Sequence, residues 1–153
     1  HLAKADELLQ QALALNIPDA ELTDLEKTLL EKERAQKLPA LEELLNSMLM
    51  IEAGEFNMGS TDSEHTKPVH KVRLDQFTMS KYLITQKQWA TVMGNNPSHF
   101  KDAHNHPVEN VSWDDVQVFL KKLNTLTHKQ FCLPTEAQWE YAAQGGSKNC
   151  KHK

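Results

Sequence analysis

Apolar positions near the start of the chain follow a helical period. Leu2, Ala5, Leu9, Ala12 and Leu13 recur three and four residues apart, which places them on one face of a helix. Asn16 and Pro18 close that helix, because proline lacks a donor and restricts the residue before it. A second helix is expected from Asp19, an N-cap residue type, with Leu22, Leu25, Leu29 and Leu30 on one face. Glu33 and Lys37 stand at the favourable i, i+4 spacing. Pro39 is expected to end it, and Leu41, Leu44 and Leu45 suggest a third, short helix.

From residue 48 the pattern changes. Met48-Leu49-Met50-Ile51-Glu52 is β-compatible, Ala53-Gly54 supplies a turn, and Glu55 to Gly59 reads as the returning strand of a hairpin. A polar loop runs from Ser60 to Pro68. Val72 and Leu74, then Phe77 and Met79, alternate with polar residues as in strands with one buried face.

Three helix starts follow, each with the same device. Thr85 with Gln88, and Thr135 with Gln138, have capping-box spacing; Ser112 with Asp115 is a shorter-armed version. Each has an apolar pair at staple spacing: Ile84 with Trp89, Val111 with Val116, Pro134 with Trp139. Gly94 and Gly145 stand where helices end. Val116, Phe119, Leu120 and Leu123 are expected to form the buried face of the middle helix.

Composition sharpens the division. Residues 1–47 contain no Gly, Trp, Tyr or Phe, whereas residues 48–153 hold every one of these. Two parts are expected: a helical appendage over 1–47, and a mixed α+β domain over 48–153. The appendage reads as a helical hairpin, either a plain amphipathic linker or the end of a helical repeat array. The stretch from Glu7 to Leu15 is similar to the second helix of a tetratricopeptide repeat, but a single partial unit favours the linker.

Charge and cysteine content exclude several classes. The formal net charge is −4 with Lys and Arg scattered among acids, so no nucleic-acid footprint is present. No apolar run reaches the roughly 20 residues of a membrane span. Cys132 and Cys150 are too few for a disulfide scaffold. The chain opens on His1 and on a helix pattern, which suggests a piece of a longer polypeptide and leaves localisation open.

Five segments together resemble a known family. Met50-Ile51-Glu52-Ala53-Gly54-Glu55-Phe56-Asn57-Met58-Gly59-Ser60 is similar to the P-A-G-x-F-x-M-G-S opening of formylglycine-generating-enzyme (sulfatase-modifying factor) domains. Lys67 to Val72 resembles the R-P-V-H-x-V segment, and Tyr82 to Trp89 the Y-x-V-T-N-x-x-[YW] segment. His106 to Val116 resembles H-P-V-x-x-V-S-W-x-D-A, and Leu133 to Ala143 resembles L-P-T-E-A-E-W-E-Y-A-A. Five segments in the family order over residues 48–146 form a far more specific signal than any one alone.

The resemblance implies a C-type-lectin-related α+β fold and covers the front half of the family domain. In active members it implies copper-dependent oxidation of a substrate cysteine to formylglycine, with copper held by a closely spaced cysteine pair in the later half. Calcium ligands too are implied mainly there. Cys132, where the family usually has Arg, and Cys150 do not correspond to the copper pair. Gln144 likewise stands where Arg is common, and loss of both guanidinium groups removes contacts that Lys would not replace. No catalytic, cofactor-binding or metal-binding residue is therefore assigned, and the chain alone is expected not to be an enzyme.

Other constellations carry a structural reading beside the chemical one. His99, His104 and His106 are spaced for a metal site, but no cysteine completes the set; His65 and His70 flank a loop. Glu136 and Glu140, one helical turn apart, suit acid–base work in a cleft, or a helix N-terminus and a structural pair. Trp89, Trp113 and Trp139 are expected as core anchors rather than a ligand platform. Asp62, Glu64, Asp75, Asp114 and Asp115 lack calcium-loop spacing. Two parents remain open: an oxidase or other enzyme of the superfamily, or a binding module engaging a protein or peptide partner.

Overall fold

The computed structural model describes residues 19–101 and 104–146. The helix expected over residues 2–13, Asn16, Pro18 and the tail with Cys150 lie outside the described residues. In chain order the elements are α1 (Asp19–Asn46), β1 (Met48–Ile51), β2 (Gly54–Met58), a 3-10 turn (Glu64–Thr66), β3 (His70–Leu74), β4 (Phe77–Ser80), α2 (Gln86–Met93), α3 (Trp113–Thr127) and α4 (Glu136–Ala143). The chain packs as two compact units, His1–Leu45 with Leu83–Phe131 and Asn46–Tyr82 with Cys132–Lys153.

The first unit is helical. Its core is Leu41 and Leu44 of α1, Trp89 and Val92 of α2, and Phe119, Leu123 and Leu126 of α3. Trp89 and Phe119 stack with ring centres 4.9 Å apart and planes 2° from parallel. The face expected for α3 is correct at Phe119 and Leu123, with Val116 and Leu120 partly buried at its edge. Leu126 extends that face by a turn.

Pro39 does not end a helix; α1 runs through it as one element of 28 residues. An interior proline costs a helix about 3 kcal/mol. Leu41 and Leu44, at 0% and 3% exposure just beyond it, each gain roughly 1.5–3 kcal/mol on burial, enough to offset that cost. Arg34 adds a tie, its Nε donating to the carbonyl of Leu126 at 3.0 Å. That carbonyl lies in the last turn of α3, where a basic side chain is favourable. The division between the two compact units, at Leu45 and Asn46, falls beside the compositional change near residue 47, and the end of α1 contributes Leu41 and Leu44 to the core of the first unit.

The second unit is built on a two-stranded ribbon. The expected hairpin between Met48–Glu52 and Glu55–Gly59 does not form. β1 pairs antiparallel with β4, and β2 with β3. Ile51 lies opposite Phe77 and Gly54 opposite Leu74, so two residues on each strand separate the ladders without a change of register. Two residues in an extended chain continue its direction rather than reverse it, and the return is made by the Ser60–Pro68 loop. Phe56, opposite Val72, is the buried residue of β2, and Glu55 and Asn57 beside it are exposed. Phe56 packs on Tyr141 of α4 with ring centres 5.2 Å apart.

Candidate functional site

The helix starts form as their sequences require. Thr85, Ser112 and Thr135 cap α2, α3 and α4, and each makes both bonds of a capping box with Gln88, Asp115 and Gln138. Gly94 closes α2 in the left-handed conformation at φ 82°. His128 closes α3 in the same conformation at φ 53° without being glycine. Asp115 is held below the usual carboxylate range, first by the hydroxyl of Ser112 and then by its backbone N–H.

In the first unit the Tyr82–Trp89 and His106–Val116 segments meet at the start of α2. The backbone N–H of Gln86 donates to the His106 carbonyl and that of Lys87 to the His104 carbonyl, both at 2.9 Å. With the Thr85 hydroxyl accepting from Gln88, the first three N–H groups of α2 are all satisfied. Val108 N–H donates to the Ile84 carbonyl at 2.9 Å. The His-Pro-Val stretch thus acts through its carbonyls as a cap.

Beside it lies a polar network that the sequence reading did not find. Gln86, 1% exposed, donates from Nε2 to the Phe100 carbonyl and accepts at Oε1 from Asn96. Asn96 Oδ1 accepts from the N–H of Ser98, a fully buried residue whose hydroxyl bonds the backbone of Glu109. The Glu109 carboxylate accepts from the N–H groups of His99 and Phe100. Gln86 gives the one available signal, an amide where the family segment carries Asn. A first-turn helix position would otherwise be expected to face solvent.

In the second unit the opening segment meets the Leu133–Ala143 segment. Glu140 Oε1 accepts from the Gly59 N–H and from Gln144 Nε2, each at 3.0 Å. Gly59 has φ 95°, and a Cβ there would sit 2.4 Å from the Thr66 carbonyl oxygen. A Cβ on Gly54 would meet Tyr141 Oη at 2.2 Å. Glu140 is therefore a structural pair with the Gly59 turn, and Glu136 sits exposed in the first turn of α4.

The tryptophan expectation needs correcting. Trp89 is buried at 3%, but Trp113 is 67% and Trp139 58% exposed. Trp113 opens α3 directly after its cap, ahead of the face carrying Phe119 and Leu123; Trp139 lies off the face of α4 that buries Tyr141. Tyr82, Leu83 and Leu133, all in signature segments, are also exposed.

No group of three or more His, Cys, Asp or Glu suited to a metal is found among the described residues. Cys132 is an exposed free thiol. His70 Nδ1 lies 2.9 Å from the Pro68 carbonyl, and His65 sits in the 3-10 turn, its N–H on the Ser63 hydroxyl.

A sequence profile described as "Sulfatase-modifying factor enzyme 1-like domain" matches residues 34–153. The chain belongs to this family. The match begins inside α1, ahead of the buried Leu41 and Leu44. Among curated relatives, "Chaperone protein LppX" of Paenibacillus barcinonensis is 31% identical over 137 residues, covering 68% of this chain and 47% of that protein. "Serine/threonine-protein kinase pkn1" of Chlamydia pneumoniae is 28% identical, with 76% of this chain and 21% of the kinase covered. "Formylglycine-generating enzyme" of Thermomonospora curvata is 27% identical over 160 residues, with 69% and 51% covered. Among solved structures, "Treponema denticola variable protein 1" superposes with a TM-score of 0.59 at 28% identity, covering 65% of this chain and 52% of that one. The chain thus spans about half or less of these relatives. Its fold is α+β and of the C-type-lectin-related kind seen in this family. No helix among the described residues is long and apolar enough to cross a membrane.

Proposed function

We propose that this chain is the front part of a sulfatase-modifying-factor domain: a folded scaffold, not itself catalytic, on which the rest of such a domain completes a site. The observation that carries this reading is how the signature side chains are used. Thr85, Gln86, Glu140, Gly54 and Gly59 are committed to caps, hydrogen bonds and close packing within their own unit. Trp113, Leu133 and Trp139 are left exposed, as surface that further chain would bury. The coverage of the relatives supports the same reading. Copper and calcium, where a longer family member uses them, are assigned to residues beyond this chain.

The test is oxidation of a cysteine-containing substrate peptide supplied with copper and oxygen, followed by mass spectrometry. The chain alone is expected to give no formylglycine. Conversion by the chain alone overturns the proposal.

A second reading, a binding module, is favoured by the relatives whose names are those of a chaperone and of kinases. Capture of one specific protein by the full-length parent supports it. Efficient peptide oxidation by that parent rules it out.

A further inference from the structure

Helix α1 reaches further than the family domain it enters. The family profile begins at Arg34, in the middle of α1, while the helix itself starts at Asp19. The turns from Asp19 to Glu33 carry the axis about 22 Å ahead of that point, at 1.5 Å of rise per residue. Of the side chains described from Asp24 to Glu33, Leu29 is half-buried and the rest are exposed. Leu41 and Leu44, at the other end, belong to the core of the first unit. The helix is therefore an arm anchored at one end.

Its weak point lies between the anchor and the exposed part. Pro39 has no N–H to give the carbonyl of Ala35, and its ring crowds that carbonyl, which is why sharp bends in helices concentrate at proline. The two buried side chains, Leu41 and Leu44, both follow Pro39; Arg34, Lys37 and Leu38 ahead of it are half-buried. Core packing alone leaves a hinge there.

One hydrogen bond spans the hinge. Among the described side-chain bonds of α1 ahead of Pro39, those of Thr28 to Asp24 and Lys37 to Glu33 stay within the helix, and that of Arg34 Nε to the Leu126 carbonyl reaches α3. The acceptor is firmly mounted. Leu126 is 4% exposed, and Thr127 beside it is buried with its hydroxyl on the Leu123 carbonyl at 2.7 Å. Glu31, one turn back on α1, lies 3.7 Å from Arg34 Nη1 and helps to orient the guanidinium.

We propose that Arg34 is a latch across a proline hinge. With its bond to Leu126 made, the part of α1 ahead of Pro39 is held in one direction against the first unit; with that bond broken, the arm swings about Pro39. The latch thus sets the direction of anything the arm carries. The proposal does not rest on the scaffold reading above.

The test is the distance between spin labels attached through Lys27→Cys and Lys121→Cys, both exposed positions, read by double electron–electron resonance. It uses the whole chain, with Cys132→Ser and Cys150→Ser to keep the labelling specific. A single narrow distribution is expected with Arg34 intact. Arg34→Met, which keeps an apolar stem and removes the donor, should broaden it at least about twofold with unchanged circular dichroism. Adding Pro39→Ala to Arg34→Met should restore the narrow distribution, because the helix then closes its own hydrogen bond across the hinge. A distribution as narrow in Arg34→Met as in its parent overturns the proposal. So does a broad one in the parent. Broadening that Pro39→Ala fails to reverse overturns it too, by tracing the motion to fraying of the arm. Loss of helicity in Arg34→Met would make Arg34 a folding contact and overturn the latch as well.

Discussion

The two units solve the same problem with unequal means. Among the described residues, the helical unit buries seven large apolar residues in one cluster supplied by three helices. The described residues of the ribbon unit bury two, Phe56 and Tyr141, and leave Leu49, Met50, Val69, Tyr82, Leu133 and Trp139 exposed. A helix brings a whole apolar stripe to its neighbour, whereas a two-stranded ribbon has only one half-covered face. The helical unit can therefore lose a contact and keep a core. The ribbon unit depends on a single ring, packed against glycines at 54 and 146 and beside Phe56. That inequality also locates where more chain would add stability.

The sharpest way to break the comparison is Tyr141→Ala, expected to cost about 3–5 kcal/mol by denaturant unfolding. Hydrogen exchange should show protection lost from β2 and β3 while α2 and α3 keep theirs; equal loss in both units would refute the contrast. Tyr141→Phe should be neutral or stabilising, because Oη is buried without a hydrogen-bond partner among the described residues.

Next, Leu41→Ala should cost about 2–4 kcal/mol. It should act on the helical unit, and a chain starting at Met48 should melt broadly with reduced amplitude. A sharp transition of full amplitude from the shortened chain would mark α1 as an appendage.

Gly54→Ala should cost about 1–3 kcal/mol through overpacking against Tyr141. The Gly54→Ala, Tyr141→Phe double variant should recover part of that loss, since the 2.2 Å clash is with the hydroxyl and the next atom lies at 3.2 Å. A double variant no better than the single one would place the strain elsewhere.

Thr85→Ala should cost about 0.5–2 kcal/mol, a smaller effect because the His104 and His106 carbonyls still satisfy two of the N–H groups of α2.

The smallest effect is electrostatic. Asp115 has its pKa lowered in the folded state, so its contribution is present above the unfolded value and lost as pH falls through the folded one. The stability difference between the wild type and Asp115→Asn should be present above the ordinary carboxylate range and shrink as pH falls below it. A difference unchanged across that range would remove the carboxylate from the cap.

Local structure was legible in the sequence wherever the deciding atoms are close along the chain. Each capping box needs a hydroxyl and an acceptor three residues apart, and Thr85, Ser112 and Thr135 declared theirs. The αL end at Gly94 was legible for the same reason. The five signature segments gave the family because their order and spacing are sequence properties. Their readability came largely from fold-forming residues, which is why they specified architecture and no catalytic group.

The rest was settled by partners distant in sequence. Pro39 reads as a helix end until Leu41 and Leu44 meet Trp89 and Phe119, and their burial carries the helix on. Met48–Gly59 reads as a hairpin until β3 and β4 compete for both strands and take them. Gln86 reads as a solvated first-turn residue until Asn96 and Phe100 close around it. Trp89, Trp113 and Trp139 look alike in sequence, yet one is buried and two are exposed. The sequence by itself determined where helices begin, which segments belong together and which family they mark. Tertiary structure alone decided which strands pair, where the proline is tolerated and which aromatics are covered, because long-range burial outweighs local preference whenever the two differ.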